Sequence, residues 1–150
     1  MIYIAADHQG FQLKKHLTTY IETQLKKQLK DLGAEKYEET DDYVDYAPLV
    51  AKAVARDSNS FGVLICGSGH GMCIAANKIK GIRAILGYSI ESTELARRDD
   101  DANILCLSGA TTSPDHATAI VKKFLETKMR TDSNRYTRRI EKIKEIEEYS

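Results

Sequence analysis

Short apolar runs recur along the chain, and each is followed by a longer segment in which apolar residues return with helical spacing. Runs of about four to eight apolar residues between polar segments are typical of buried strands. Such strands are predicted at residues 2–6, 62–66, 83–86 and 104–107. A weaker strand is predicted at residues 34–37, directly after Gly33, because glycine often follows the end of a helix.

The segments between these strands carry Leu, Ala, Lys and Glu in amphipathic order, which predicts helices. These helices are expected at residues 10–32, 46–55, 72–78, 89–98 and 114–128. A last helix is predicted at residues 134–149, where Ile140, Ile143 and Ile146 recur every three residues. Alternating strands and helices predict parallel strands joined by crossovers. The expected fold is α/β, a Rossmann-like three-layer sandwich with a mainly parallel sheet of about five strands and a C-terminal helix.

Composition and charge narrow the class of protein. A chain of 150 residues with 42% hydrophobic content is long enough for one core, so a single domain over residues 1–150 is expected. Lys plus Arg and Asp plus Glu both total 22, and this balance argues against nucleic-acid or anionic-membrane partners. The first residues lack a signal-peptide pattern and no apolar run approaches about 18 residues, so we expect a cytoplasmic protein.

The cysteines and two histidines add little to this picture. Cys66, Cys73 and Cys106 form an odd set without a CxxC pair, so neither a disulfide framework nor a thiolate zinc site is expected. His16 and His116 lie in predicted helices, and we expect them at the surface rather than as ligands. No metal or other cofactor is predicted.

Two loops that follow predicted strands carry the residues with chemical potential. Ligands of open parallel sheets bind outside the carboxyl ends of the strands. The first strand ends at Asp7 and His8, an acceptor beside a titratable donor. The third leads into the segment Cys66-Gly67-Ser68-Gly69-His70-Gly71, where alternate glycines expose backbone N–H groups before a helix. This segment has neither the Lys-Ser/Thr ending of a P-loop nor the GxGxxG spacing.

Each of these features has a structural and a functional interpretation. The glycines could form only a tight turn, or they could bind an oxyanion or phosphate. Cys66 could simply end a strand, or its thiol near a helix N-terminus could act as a base or nucleophile, with His8 or His70 as partner. Asp7 could cap the following helix instead of binding a ligand. The residues alone leave these alternatives open.

Taken together, the motifs resemble the ribose-5-phosphate isomerase B/galactose-6-phosphate isomerase family. The similar segments are the first loop through Phe11, the glycine segment from Leu64, Ala75-Ala76-Asn77-Lys78, Gly81-Ile82-Arg83-Ala84, Asp42-Tyr43, Asn103-Ile104-Leu105, and the pair Arg135 and Arg139. They occur in family order across nearly the whole chain. The resemblance implies a sugar-phosphate isomerase that needs no cofactor.

The resemblance also implies a catalytic mechanism. The thiolate of Cys66 would move a proton between C2 and C1 of the open-chain sugar through a cis-enediolate. Ser68 stands where the family usually has a threonine that assists the cysteine. The amides of Gly67, Gly69, His70 and Gly71 would stabilise the developing oxyanion.

Further roles in substrate binding follow from the same resemblance. Asp7 and Tyr43 would contact sugar hydroxyls, while His8, Arg135 and Arg139 would bind the phosphate. Arginines four residues apart share a helical face, which suits a dianion. An ordinary solvated helix surface is the alternative explanation of that arginine pair.

Two departures from the family pattern are visible. The family's His-Asn pair, which is thought to open the sugar ring, falls on Asp99 and Asp100, and a phosphate-binding arginine falls on Ala110. Asp99 could still shuttle a proton, but the acids add negative charge near a dianionic substrate, which Arg97 and Arg98 could offset. A non-catalytic phosphosugar-binding paralogue and a hexose-6-phosphate isomerase subunit are therefore alternatives to a ribose-5-phosphate isomerase.

The position of the acidic pair also predicts the assembly. Asp99 and Asp100 precede the strand near Asn103, at the opposite edge of the sheet from Cys66, so they are not expected to reach their own chain's site. As in the family, we expect a homodimer, or a tetramer of such dimers, in which the partner supplies these residues.

Overall fold

The computed structural model describes residues 1–149, in which strands and helices alternate along the chain. The strands are β1 (Ile2–Ala6), β2 (Leu29–Asp31), β3 (Phe61–Cys66), β4 (Ala84–Leu86) and β5 (Ile104–Ser108). The helices are α1 (Phe11–Thr23), α2 (Tyr43–Ala55), α3 (His70–Ala76), α4 (Ile90–Asp100), α5 (Pro114–Glu126) and α6 (Asn134–Glu147). The strands form one parallel sheet in the order β2-β1-β3-β5-β4.

Two apolar layers cover the sheet because successive strand residues point to opposite faces. On one face, residues of β1, β3 and β5 pack with α1 and α5; these strand residues are Ile2, Ile4, Ala6, Val63, Ile65, Leu105 and Leu107. On the other face the strands pack with α2 and α3 through Ala5, Leu64, Cys66, Ala84, Ile104 and Cys106. The predicted three-layer α/β fold is therefore confirmed.

The second strand was placed wrongly by the sequence pattern. Residues 34–37 do not form a strand, and the helix predicted over 10–32 ends at Thr23. Strand β2 is a short edge strand with two exposed residues, Lys30 and Asp31, because it pairs only with β1. Leu25, Leu29 and Leu32 recur with helical spacing, so hydrophobic periodicity alone extends the helix across this strand.

The remaining elements agree with their predicted ranges to within three residues at each end. Ser113 caps α5 by accepting the N–H of His116 at 3.2 Å, and Ser133 caps α6 by accepting that of Arg135 at 3.3 Å. Helix α6 lies near the amino ends of the strands, where Glu147 accepts the N–H of Gly81 at 2.8 Å. Within residues 1–149, no helix combines the length and apolar character that crossing a membrane requires.

Candidate active site

The two loops singled out from the sequence lie side by side at the carboxyl edge of the sheet. Strands β1 and β3 are neighbours, with Ala6 opposite Ile65 in the register, so their following loops leave the sheet together. The chain leaves β1 toward β2 on one side, while β3 lies on the other, which makes this a topological switch point. Such a crevice is the usual ligand site of an open α/β sheet.

Asp7 is held firmly at the end of β1. Its carboxylate accepts the N–H groups of Gln9 at 3.0 Å and Gly10 at 3.2 Å, and the residue is only 5% exposed. Burial raises the pKa of Asp7, while these two N–H bonds and the neighbouring His8 act in the opposite direction. Asp7 therefore does shape the turn before α1, as one interpretation expected, and its carboxylate is fixed by these two bonds at the end of β1.

His8 is anchored by a residue that the sequence analysis did not single out. Its backbone N–H and its ring Nδ1 both bond Oδ1 of Asp41, at 2.9 and 2.8 Å. Tyr46 donates its hydroxyl to the other carboxylate oxygen at 3.1 Å. The hydrogen bond to Asp41 raises the pKa of His8. Asp41 could not be identified from a local sequence motif, because it lies 33 residues from His8 along the chain.

The glycine segment is shaped by close contacts. Gly69 has φ of +84°, a left-handed conformation that a residue with a side chain seldom adopts. A Cβ on Gly71 would lie 2.6–2.8 Å from ring atoms of Tyr43, so the ring packs directly on the backbone of this loop. The structure thus brings Tyr43, at the start of α2, to the predicted anion-binding segment. Ser68 accepts the backbone N–H of His70 at 3.3 Å, and both residues are exposed.

Cys66 ends β3 with its side chain on the α2/α3 face of the sheet, where it is 4% exposed. It is buried among apolar residues rather than open to solvent, yet Gly67 and Ser68, its next neighbours in the chain, line a cleft. Cys66 itself is not among the residues that line this cleft. A substrate would have to reach it at the end of the strand.

That cleft has a volume of about 520 Å³ and is bordered by the loops after β1, β3, β4 and β5. It is lined by Gln9, Gly67, Ser68, His70, Leu86, Gly87, Tyr88, Ser108, Ala110, Thr111, Thr112 and His116. Ser108 ties two of its walls together, since its hydroxyl donates to the carbonyl of Gly67 at 2.7 Å and accepts from Thr111. The volume suits a small polar metabolite.

Several cleft residues escaped the sequence analysis. His116 is exposed, as expected, but it also lines the cleft. Gln9 and Thr111 were not chosen as candidate site residues, although each follows a strand end and so carries the same signal as the residues that were chosen. His16 lies outside the cleft lining and bonds the hydroxyl of Thr118 at 3.2 Å.

Asp99 and Asp100 lie at the other edge of the sheet, as predicted. They end α4, just before β5 begins. The Arg98 guanidinium bonds both carboxylate oxygens of Asp99 at 2.9 and 3.2 Å, and Arg130 lies 3.6 Å away. Arg98, and to a smaller extent Arg130, lowers the pKa of Asp99. Arg98 thus offsets one of the two acidic charges.

The other arginine expected to offset these charges is used elsewhere. Arg97 is 5% exposed and bonds Asp101 at 2.8 Å and the carbonyl of Ala102 at 2.7 Å. Arg135 and Arg139 are exposed on α6, near the same amino edge. The chain therefore does not bring Asp99, Asp100, Arg135 and Arg139 to its own cleft.

One group of side chains has the composition of a metal site. Ligand atoms of Asp7, His8 and Asp41 all lie within 4.8 Å of one another. Most of these atoms already serve other bonds: Nδ1 of His8 bonds Asp41, Tyr46 bonds the second Asp41 oxygen, and Asp7 accepts two backbone N–H groups. The arrangement is better described as a hydrogen-bond network.

Comparison with known proteins gives a consistent result. A family model described as Ribose/Galactose Isomerase matches residues 2–143. The chain is 44% identical over 142 residues to the probable ribose-5-phosphate isomerase B of Mycoplasma pneumoniae, covering 95% of this chain and 91% of that protein. It is 36% identical over 146 residues to ribose-5-phosphate isomerase B of Mycolicibacterium paratuberculosis, covering 97% and 91%.

Solved structures show the same similarity. Ribose-5-phosphate isomerase B of Mycoplasma genitalium with bound ribulose 5-phosphate superposes with a TM-score of 0.93 at 41% identity, covering 99% of this chain and 97% of that one. The type B ribose 5-phosphate isomerase of Trypanosoma cruzi superposes with a TM-score of 0.92 at 39% identity, covering 99% and 96%.

Proposed function

Because the chain belongs to the ribose/galactose isomerase family, we propose that it is an aldose-ketose isomerase that interconverts ribose 5-phosphate and ribulose 5-phosphate. The observation that carries this proposal is the cleft at the carboxyl edge of the sheet, which is lined by Gln9 of the Asp7-His8 loop and by Gly67, Ser68 and His70 of the glycine segment. A relative of 41% identity with nearly the same fold binds ribulose 5-phosphate.

The chemistry requires a base near the carbon acid and donors for the enediolate oxygen. In the proposed mechanism, Cys66 removes the C2 proton of the open-chain aldose and returns it to C1, with Ser68 assisting the sulfur. The backbone N–H groups of Gly67, Gly69, His70 and Gly71 stabilise the oxyanion.

The remaining contacts of the substrate follow from the same proposal. Asp7 and Tyr43 bind sugar hydroxyls, and His8 binds the phosphate together with Arg135 and Arg139 of a partner subunit. Ala110 lines the cleft with a methyl group where the family has a cation, so these three side chains carry the phosphate interaction.

We propose that two copies share their sites. The support is geometric: Asp99, Asp100 and the α6 arginines lie at the amino edge, away from their own cleft, and the arginines are exposed. Analytical ultracentrifugation, which measures the mass of the assembly, distinguishes a monomer, a dimer and a tetramer. A monomer with full activity would contradict the shared site.

A single domain and a cytoplasmic location are also proposed. All five strands join one sheet, which supports a single domain, although Ser150 of the predicted range lies outside the described residues. Cys66, Cys73 and Cys106 are free, which is the state that a reducing cytoplasm maintains.

The direct test is turnover of ribose 5-phosphate by the wild type and by Cys66→Ala. We expect the wild type to be active and the variant to lose about 10²- to 10⁴-fold in kcat, the usual contribution of a general base. Cys73→Ala is the matched control, because it removes a thiol of the same apolar cluster that has no proposed role. If the wild type converts no member of a panel of pentose and hexose phosphates, the proposal fails.

A second candidate, a non-catalytic phosphosugar-binding protein, is favoured by one observation. Asp99 is held ionised by Arg98, so it could accept a proton but would be a poor donor where the family has a histidine. Binding of ribulose 5-phosphate by calorimetry without turnover would support this alternative. Activity on a hexose 6-phosphate alone would instead identify a hexose-6-phosphate isomerase.

A further inference from the structure

The carboxylate of Asp41 is a point of convergence for three hydrogen bonds. The backbone N–H and the ring of His8 reach the same oxygen at 2.9 and 2.8 Å, and the Tyr46 hydroxyl reaches the other at 3.1 Å. The Asp41 side chain is 6% exposed, whereas the His8 side chain is 23% exposed. The Asp41 carboxylate is therefore more deeply buried than the histidine ring that it contacts.

This arrangement determines which ring atom of His8 can meet a ligand. A carboxylate accepts hydrogen bonds, so the proton on Nδ1 is committed to Asp41. The main-chain bond to the same oxygen fixes the position of the residue, and the ring bond fixes its rotation. Nε2 is then the nitrogen that remains for a ligand.

We propose that Asp41 is a positioning residue that orients the His8 ring, so that Nε2–H can bind the phosphate of the substrate. This inference rests on the proposed function for the identity of the ligand. Asp41 itself need not touch the substrate, because both of its oxygens face His8 and Tyr46.

The acidic groups around His8 all raise its pKa. The hydrogen bond to Asp41 is the largest influence, and the charges of Asp7, Asp41 and Glu39 add to it, so the pKa of His8 rises although burial opposes the rise. The remaining neighbour is the Tyr37 ring, whose centroid lies 6.4 Å from that of His8 in an edge-on arrangement. A phosphate monoester has its second pKa near about 6. The bond to Asp41 therefore favours the protonated imidazole, which is the form that pairs with a phosphate dianion.

Asp41→Asn is the decisive variant, because asparagine keeps the shape and an acceptor oxygen but loses the charge. With the charge gone, the pKa of His8 falls, and the cation is lost at a lower pH than in the wild type. The ratio of variant to wild-type KM for ribose 5-phosphate should stay near one at pH 5.5 and rise about three- to tenfold as the pH passes the lowered pKa. The phosphate of the substrate also changes its charge with pH, but it does so equally for both proteins, so this effect cancels in the ratio.

The kcat should change less than about twofold, since a contact to the phosphate binds ground and transition states alike. Glu39→Gln is the matched control: it removes an acidic charge from the same loop, and that charge is the smallest of the influences on His8. Its KM profile should follow the wild type. Superimposable KM profiles for Asp41→Asn and the wild type would overturn the inference.

Nuclear magnetic resonance separates this inference from the proposed function. The His8 ring signals, assigned with a His8→Asn variant, should titrate with a raised pKa in the wild type and a lower one in Asp41→Asn, whether or not the protein turns over sugar. If Asp41→Asn does not fold, the wild-type titration alone still decides: a His8 pKa at its ordinary value of about 6.5 would refute the role of Asp41.

Discussion

Active sites shared between two copies make a sharp prediction for mixed dimers. The perturbation is a pair of complementary variants, Cys66→Ala, which damages the cleft, and the double variant Arg135→Ala/Arg139→Ala, which damages the contributed arginines. Each homodimer has one defect in both of its sites. In the proposed assembly, a mixed dimer would have one site with both defects and one site with none, because the proposed two-fold interface would pair the cleft of each copy with α6 of the other.

The start of β5 lies far from the level of Cys66 in the sheet. In the sheet register Cys66 lies opposite Ser108, while Ile104 lies opposite Gly62. Four residues at about 3.3 Å each separate these levels by about 13 Å, and Asp100 precedes even Ile104. A carboxylate side chain does not span that distance, so residues near the start of β5 cannot complete the cleft of their own chain.

The expected magnitude follows from counting sites. Random exchange of equal amounts gives half mixed dimers, and half of their sites are intact, so the mixture should recover about a quarter of wild-type activity. Each parent variant alone should retain about 1% or less of wild-type activity. Cys66→Ala lacks the proposed base, and the double arginine variant lacks two charge-assisted contacts to the phosphate. The assay is initial-rate turnover of ribose 5-phosphate after subunit exchange, with mixed dimers quantified by native mass spectrometry. Mixed dimers with only the mean activity of the two parents would refute the shared site.

Two further predictions concern stability and thiol reactivity. Lys14 is 2% exposed, and its ammonium bonds Asp31 at 2.9 Å and the carbonyl of Ala34 at 2.5 Å. Lys14→Met should therefore lower the free energy of unfolding, measured in urea, by about 1–3 kcal/mol, which is the cost of leaving a buried polar group unpaired. The control Lys15→Met, at an exposed neighbour, should change this free energy by less than about 0.5 kcal/mol, and equal effects of the two variants would contradict the prediction. The thiol of Cys106 lowers the pKa of Cys73 to about 7. Labelling of Cys73 by iodoacetamide, measured by mass spectrometry, should therefore become faster as the pH rises and level off above that value. In Cys106→Ala the labelling profile should move to higher pH, and an unchanged profile would contradict the prediction.

The central strands were predictable because burial dominates their composition. Strands β1, β3 and β5 are covered on both faces, so they are continuous apolar runs in the sequence. The edge strand β2 is held by one neighbour and by Lys14, which bridges it to α1. Such long-range contacts have no local signature, and the Leu25, Leu29 and Leu32 spacing favoured a helix instead.

The candidate site divides in the same way. Asp7, His8 and the glycine segment were recognisable because each directly follows a buried strand, and strand ends meet at one edge of a parallel sheet. Asp41 was not recognisable, since it lies in an acidic loop where most carboxylates are solvated. Its importance arises only from the chain path that brings it within 2.8 Å of His8.

Asp99, Asp100 and Ala110, which depart from the family pattern, make the proposed shared site more negative. Neighbouring arginines reduce this change in charge. The negative charge of Asp99 is partly neutralised, because Arg98 bonds both of its carboxylate oxygens and Arg130 lies nearby. The charge that it presents to a phosphate is therefore smaller than that of a free carboxylate. With a methyl group at Ala110, the contact proposed between His8 and the phosphate becomes a larger share of phosphate binding. The pair of His8 and Asp41 should therefore matter more for binding here than in a relative that keeps the arginine.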